Sequence, residues 1–144
     1  LRMILEGASA EMAAKRITEK ELQYLESLPD SYIHGDLDSY LTYLEANREF
    51  HYRVALASGN FQLAEIIGSL LYQMQRHVFL GIGSGQHYHD ILDAHPSLIK
   101  ALRKGDAEEA RRAMVKGIED ARAGAMEEIL GASSPAIAQS EFFV

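Results

Sequence analysis

The chain has 144 residues, 47% hydrophobic and 24% charged, a composition that fits one ordinary folded domain with a real core. A net charge of −7 works against gripping nucleic-acid phosphates with this segment. The lack of cysteine excludes a disulfide scaffold, a thiolate zinc site and a cysteine nucleophile, and no apolar run reaches the roughly 18 residues of a membrane span. The opening Leu1-Arg2-Met3-Ile4 has neither a signal-peptide apolar region nor an initiator methionine. The expectation is a cytoplasmic piece of a longer protein, with no membrane partner.

Nearly the whole chain follows a 3.6-residue period and no stretch alternates like a strand, which predicts an all-α domain of about six helices. The first covers Leu1 to Lys15. Thr18-Glu19-Lys20-Glu21 reads as a capping box that starts a second helix, with Leu22, Leu25 and Leu28 on one face before Pro29. After a loop over Asp30 to Gly35, Asp36 caps a third helix that runs to Ser58 and stops at Gly59-Asn60. A fourth, Phe61 to Phe79, carries the stripe Leu63, Ile66, Ile67, Leu70, Met74 and Val78. Gly81 to Gln86 reads as a glycine-rich loop, and Asp93 as the cap of a short fifth helix that tolerates Pro96 in its first turn. Gly105 ends the fifth, and Asp106-Ala107-Glu108-Glu109 starts a sixth reaching Leu130, followed by a frayed tail over 131–144.

Polar residues on apolar stripes are the informative feature. The third helix reads Leu37, Tyr40, Leu41, Leu44, Asn47, His51, Val54, Ala55 and Ser58 along its inward face. Asn47 and His51 are four residues apart and stack one above the other. Burying an amide and an imidazole is costly unless something answers them, so the pair suits a ligand, a metal or a bound water. In the fifth helix His95, Leu98, Ile99 and Leu102 share a stripe, which brings a second histidine to the core edge. The sixth turns small residues inward at Ala110, Met114, Gly117, Ala121 and Ala125, which leaves either close packing or a cavity opposite the histidines.

Plainer readings stand beside these. A histidine on an apolar stripe is commonly a core histidine satisfied by a carbonyl or a water. His87-Tyr88-His89-Asp90 fits a metal clip or solvated surface. Arg2 and Glu6 read as an i,i+4 surface salt bridge. Arg76, one turn after Tyr72 and Gln73, could close a pocket over a carboxylate. No Ser/His/Asp order, phosphate loop or paired-acid pattern points to catalysis.

Together these residues resemble a known family. Arg2-Met3-Ile4-Leu5-Glu6 followed by Ala13-Ala14 is similar to the R-x-x-L-E … A-A opening of the FCD domain, the effector-binding domain of FadR-type regulators in the GntR family. Asn47-Arg48-Glu49-Phe50-His51 with Ser58-Gly59-Asn60 resembles D-x-x-F-H … S-G-N. His95, Leu98, Ile99, Ala101, Leu102, Gly105-Asp106 and Ala110 continue the likeness, which covers residues 1–130.

The resemblance implies an antiparallel helical bundle with an internal ligand pocket that dimerises, six helices being similar to the VanR-like branch. It implies a winged helix-turn-helix DNA reader upstream of Leu1, and so operator DNA as a partner of the whole protein only. It also implies a small carboxylate effector, with Asn47, His51, His95, Arg2 and Arg76 at the pocket. Many members hold a divalent metal through one aspartate and three histidines. These fall on Asn47, His51, His95 and Gly117, so the zinc- or nickel-type site is incomplete. A water or an organic anion is expected in its place. The alternatives are a helical metal-dependent enzyme using His51 and His95, and a ligand-free helical dimerisation module.

Overall fold

The computed structural model describes residues 1–33, 35–83 and 95–138. Its elements are α1 (Arg2–Ala13), α2 (Glu19–Ser27), α3 (Leu37–Ala57), α4 (Phe61–Gly83), α5 (His95–Lys104) and α6 (Ala107–Ala138), with no strand among the described residues. No helix of the described residues is long and apolar enough to cross a membrane.

The helix starts follow local chemistry. The Thr18 hydroxyl accepts from the Glu21 amide at 3.2 Å, and the Glu21 carboxylate accepts from the Thr18 amide at 2.7 Å, closing the capping box. Asp36 caps α3 by accepting from the Ser39 amide at 3.1 Å, and Asp106 caps α6 by accepting from the Glu109 amide at 3.0 Å. Asp93 and the His87-Tyr88-His89-Asp90 run lie outside the described residues.

Two boundaries differ from the sequence reading. α4 runs to Gly83, through Gly81 and into the expected loop, because one glycine weakens a helix by only about 1 kcal/mol. α6 continues past Leu130 through Gly131 to Ala138.

α1 lies at the centre, against α6, α3 and α4, while α5 packs on α6 and α2 on α5. The seam between α1 and α6 is built of small residues. Ala10 and Ala13 meet Ala110, Ala113 and Met114 in the main core, which Leu22, Leu25, Phe50, Val54, Leu98 and Leu102 complete. At Gly7 a methyl group would stand 3.0 Å from Val115 Cγ2, so the two helices approach as closely as a missing side chain allows.

On α4 the buried face is Ala64, Ile67 and Leu71. Ile66 and Met74, both placed on the inward stripe by the sequence, are 52% and 41% exposed. The apolar row on α4 is wider than the groove α1 and α3 offer it. Leu1 and Ile4 on the α1 side are exposed as well.

The Ser58-Gly59-Asn60 run turns α3 back onto α4. Ser58 Oγ donates to the Ala55 carbonyl at 2.6 Å and accepts from the Asn60 amide at 3.1 Å. The Asn60 side chain then caps α4 by accepting from the Leu63 amide at 3.1 Å. Between them Gly59 takes a φ of 75°, with the Arg16 guanidinium lying over its Cα. Gly59→Ala should therefore lower stability by about 1–2 kcal/mol, from the left-handed backbone alone, read as a lower urea midpoint. An unchanged midpoint would show that the turn relaxes at no cost.

Candidate functional site

The two inward histidines meet. His51 projects from the middle of α3 and is 2% exposed, and His95 is the first residue of α5 and is 8% exposed. Their ring centroids are 5.5 Å apart in an edge-on arrangement. Phe50 holds both: its ring stacks on His95 at 3.7 Å and 11°, and meets His51 edge-on at 5.7 Å. Gly117 of α6 is buried as expected from its stripe.

Asn47 lies one helical turn before His51 and is half-buried. Its side-chain oxygen is fully buried and accepts no hydrogen bond among the described residues. An orphaned acceptor one helical turn from His51 marks a place where a donor is wanted.

The sequence reading misplaced Glu6. The i,i+4 spacing taken alone reads Arg2 and Glu6 as a surface salt bridge, whereas Glu6 is 1% exposed and Arg2 only 17%. Arg2 Nε donates to Glu6 Oε1 at 2.5 Å, and Glu6 Oε2 lies 2.5 Å from His51 Nδ1. The reason is the third partner. A carboxylate alone would be driven out of the core, but an imidazole and a guanidinium on two sides answer both of its oxygens. The signal was present in the spacing: Met3, Glu6, Gly7, Ala10 and Ala13 form one inward stripe of α1.

Burial pushes the Glu6 carboxyl up, yet attraction and hydrogen bonding from His51, and then from Arg2, outweigh it and hold the group below its usual 4.5. Glu6 is accordingly ionised at neutral pH.

Of the other expected site residues, Arg2 is engaged by Glu6. Arg76 is exposed on α4. A cleft of about 350 Å³ opens between α2 and α5 over Leu25, Leu28, Pro96 and Ile99, and His95 forms part of its wall. His95 thus borders both the interior cluster and an opening to solvent.

The described donors do not match a four-ligand divalent site. They comprise two imidazoles, one of which points Nδ1 at Glu6, and the neutral oxygen of Asn47. Among the described residues no three His, Asp or Glu side chains converge on a point that could hold an ion.

Because the folded pKa of Glu6 is depressed, its contribution to stability is complete above 4.5 and is lost as pH falls through the folded value. The urea midpoint of the protein should drop below pH 4.5, and that of Glu6→Gln should drop less over the same window. An equal drop in the variant would assign the acid sensitivity to other carboxylates.

The FCD domain family model matches residues 1–120, a span that holds Arg2, Glu6, Asn47, His51, His95 and Gly117. Among solved structures, a Streptococcus agalactiae GntR protein superposes with a TM-score of 0.63 at 30% identity, over 86% of this chain and 56% of that one. The chain therefore spans little more than half the length of that relative. No curated protein matches it at a significant level. The chain belongs to the FCD domain family.

Proposed function

We propose that this domain is the effector-sensing and dimerisation unit of a GntR-type transcription regulator. In this reading it binds a small organic acid at the His51–His95–Asn47 cluster and is not an enzyme. The observation that carries it is the meeting of two buried imidazoles from separate helices, with an orphaned amide oxygen one helical turn from His51. Imidazole N–H groups suit a carboxylate, and Asn47 Oδ1 suits a hydroxyl, amine or water that accompanies it. Use of Glu6 as a catalytic base is disfavoured, since Arg2 and His51 occupy its two oxygens.

The ligand would bridge α3 and α5 and favour one relative placement of the helices. Through α1 this would bias the spacing of DNA readers carried elsewhere in the whole protein. A second copy would cover the apolar residues exposed on α1 and α4, among them Ile4, Ile66 and Met74. A cytoplasmic location accords with this role.

Thermal-shift titration with short-chain mono- and dicarboxylates should raise the melting temperature of the wild-type domain. His51→Gln and His95→Gln should each weaken binding by roughly ten- to a hundredfold, the loss of one charge-assisted hydrogen bond. Light scattering of the same samples should give a dimer. Binding unaffected by both substitutions would move the effector to another site, and a monomer throughout would remove the dimerisation role.

The site is proposed to work without a resident divalent metal. Asn47→Asp with Gly117→His would supply the missing charge and imidazole, so zinc or nickel affinity should rise by roughly a hundredfold or more. A chelator should then lower the melting temperature of the double variant only. Stoichiometric metal held by wild-type His51 and His95 would overturn this.

A further inference from the structure

Nothing in the effector reading calls for a buried carboxylate on α1, yet Glu6 is among the most deeply buried side chains of the molecule. An ionised carboxylate can only accept hydrogen bonds. Arg2 already donates to both oxygens of Glu6, through Nε to Oε1 at 2.5 Å and a second guanidinium nitrogen to Oε2 at 3.4 Å. The carboxyl thus faces its neighbours as an acceptor, and in the 2.5 Å contact it is His51 Nδ1 that donates to Oε2. The remaining ring nitrogen, Nε2, then carries the chemistry the imidazole can offer on its other side. It is a lone pair when the ring is neutral and an N–H when it is charged.

Ring rotation about χ2 would exchange the two edges of the imidazole. Here it would break the Glu6 contact and disturb the edge-on packing against Phe50 and His95. Glu6 is fixed in turn by Arg2 Nε on its other oxygen, one helical turn earlier on α1. The chain of contacts thus runs from the start of α1, through Glu6, to a histidine on α3. Carboxylates that hold the far nitrogen of a metal-ligating histidine set its tautomer and orientation in the same way.

We propose that Glu6 is the positioning residue of the effector site, fixing the tautomer and ring orientation of His51 so that α1 determines which nitrogen a ligand meets. The proposal rests on reading His51 as an effector contact, but its first consequence is measurable with no effector present. It also makes α1 a party to binding: a ligand that pulls on His51 alters the partner of a group anchored in α1.

The test is nuclear magnetic resonance of protein labelled with ¹⁵N-histidine, followed upward in pH until the His51 ring shows its neutral form. Wild-type His51 should be the Nδ1–H tautomer. Glu6→Met, apolar and similar in length, should shift His51 toward the Nε2–H form. Glu6→Gln should restore the wild-type signature, because its amide oxygen can accept from Nδ1. An Nε2–H tautomer in the wild type would overturn the proposal. So would an unchanged His51 signature in Glu6→Met. Should that variant not fold, a wild-type signature carrying Nε2–H still decides against it. Titration with acetate, malonate and succinate forms the second arm. Glu6→Met should change the affinity for whichever acid binds wild type by about tenfold or more, and Glu6→Gln by less. Equal binding by all three proteins would overturn the role of Glu6 in the site. Failure of every acid to bind wild type would count against the effector reading, with the tautomer signature still deciding the role of Glu6.

Discussion

A negative charge placed inside a helical bundle governs much of what surrounds it. Glu6 is ionised and out of contact with water, a state that would be costly by several kcal/mol without partners. Its two oxygens are answered from two directions, by Arg2 on its own helix and by His51 on α3. That arrangement holds only if α1 and α3 keep one register. A slide of either helix by a residue would break the contact between Glu6 Oε2 and His51 Nδ1. The apolar core supplies most of the attraction between the helices, but it is tolerant of small shifts, and the ionic contact is not.

The second organising element is Phe50. It follows Asn47 and Arg48 on α3 and precedes His51, and its ring lies flat on His95. One aromatic side chain thereby fixes the relation between α3 and α5 at the point where the two histidines approach. The cluster is a joint among three helices: α1 contributes the carboxylate, α3 the amide, phenyl ring and first imidazole, and α5 the second imidazole. A site assembled from three elements responds to their relative movement, which is the property an effector domain requires.

Much of this was legible in the sequence. The caps at Thr18, Asp36 and Asp106, the turn at Gly59 and the inward stripe of α5 all follow local rules, and each stands where the spacing placed it. The meeting of His51 with His95 was also foreshadowed, since each lay on a stripe with few other polar residues. Glu6 was not, because an i,i+4 Arg–Glu pair is common on surfaces and the inward spacing from Met3 to Ala13 does not by itself say that a carboxylate on it is buried. Its burial depends on a partner 45 residues away, which no local rule reports. The α4 stripe erred differently. Ile66 and Met74 satisfy the helical period, but the period says only that a face is apolar, not that this chain alone covers it.

The seam between α1 and α6 carries a consequence for how such a sequence can drift. At Gly7, Ala10, Ala13, Ala110 and Ala113 the packing sets a ceiling on side-chain volume and asks for no particular chemical group. A position under a ceiling accepts substitutions in one direction only: a methyl can be lost for the modest penalty of a small void, while a methyl gained forces the helices apart along their whole contact. Substitutions along this seam should therefore be confined to glycine and alanine, even in lineages whose surfaces have changed beyond recognition. The ionic contact at Glu6 lies on the same helix under the opposite kind of rule, where volume can be matched by methionine but the acceptor cannot. One face of a single helix thus records two separate selective pressures, one on size and one on chemistry, interleaved at the period of the helix itself.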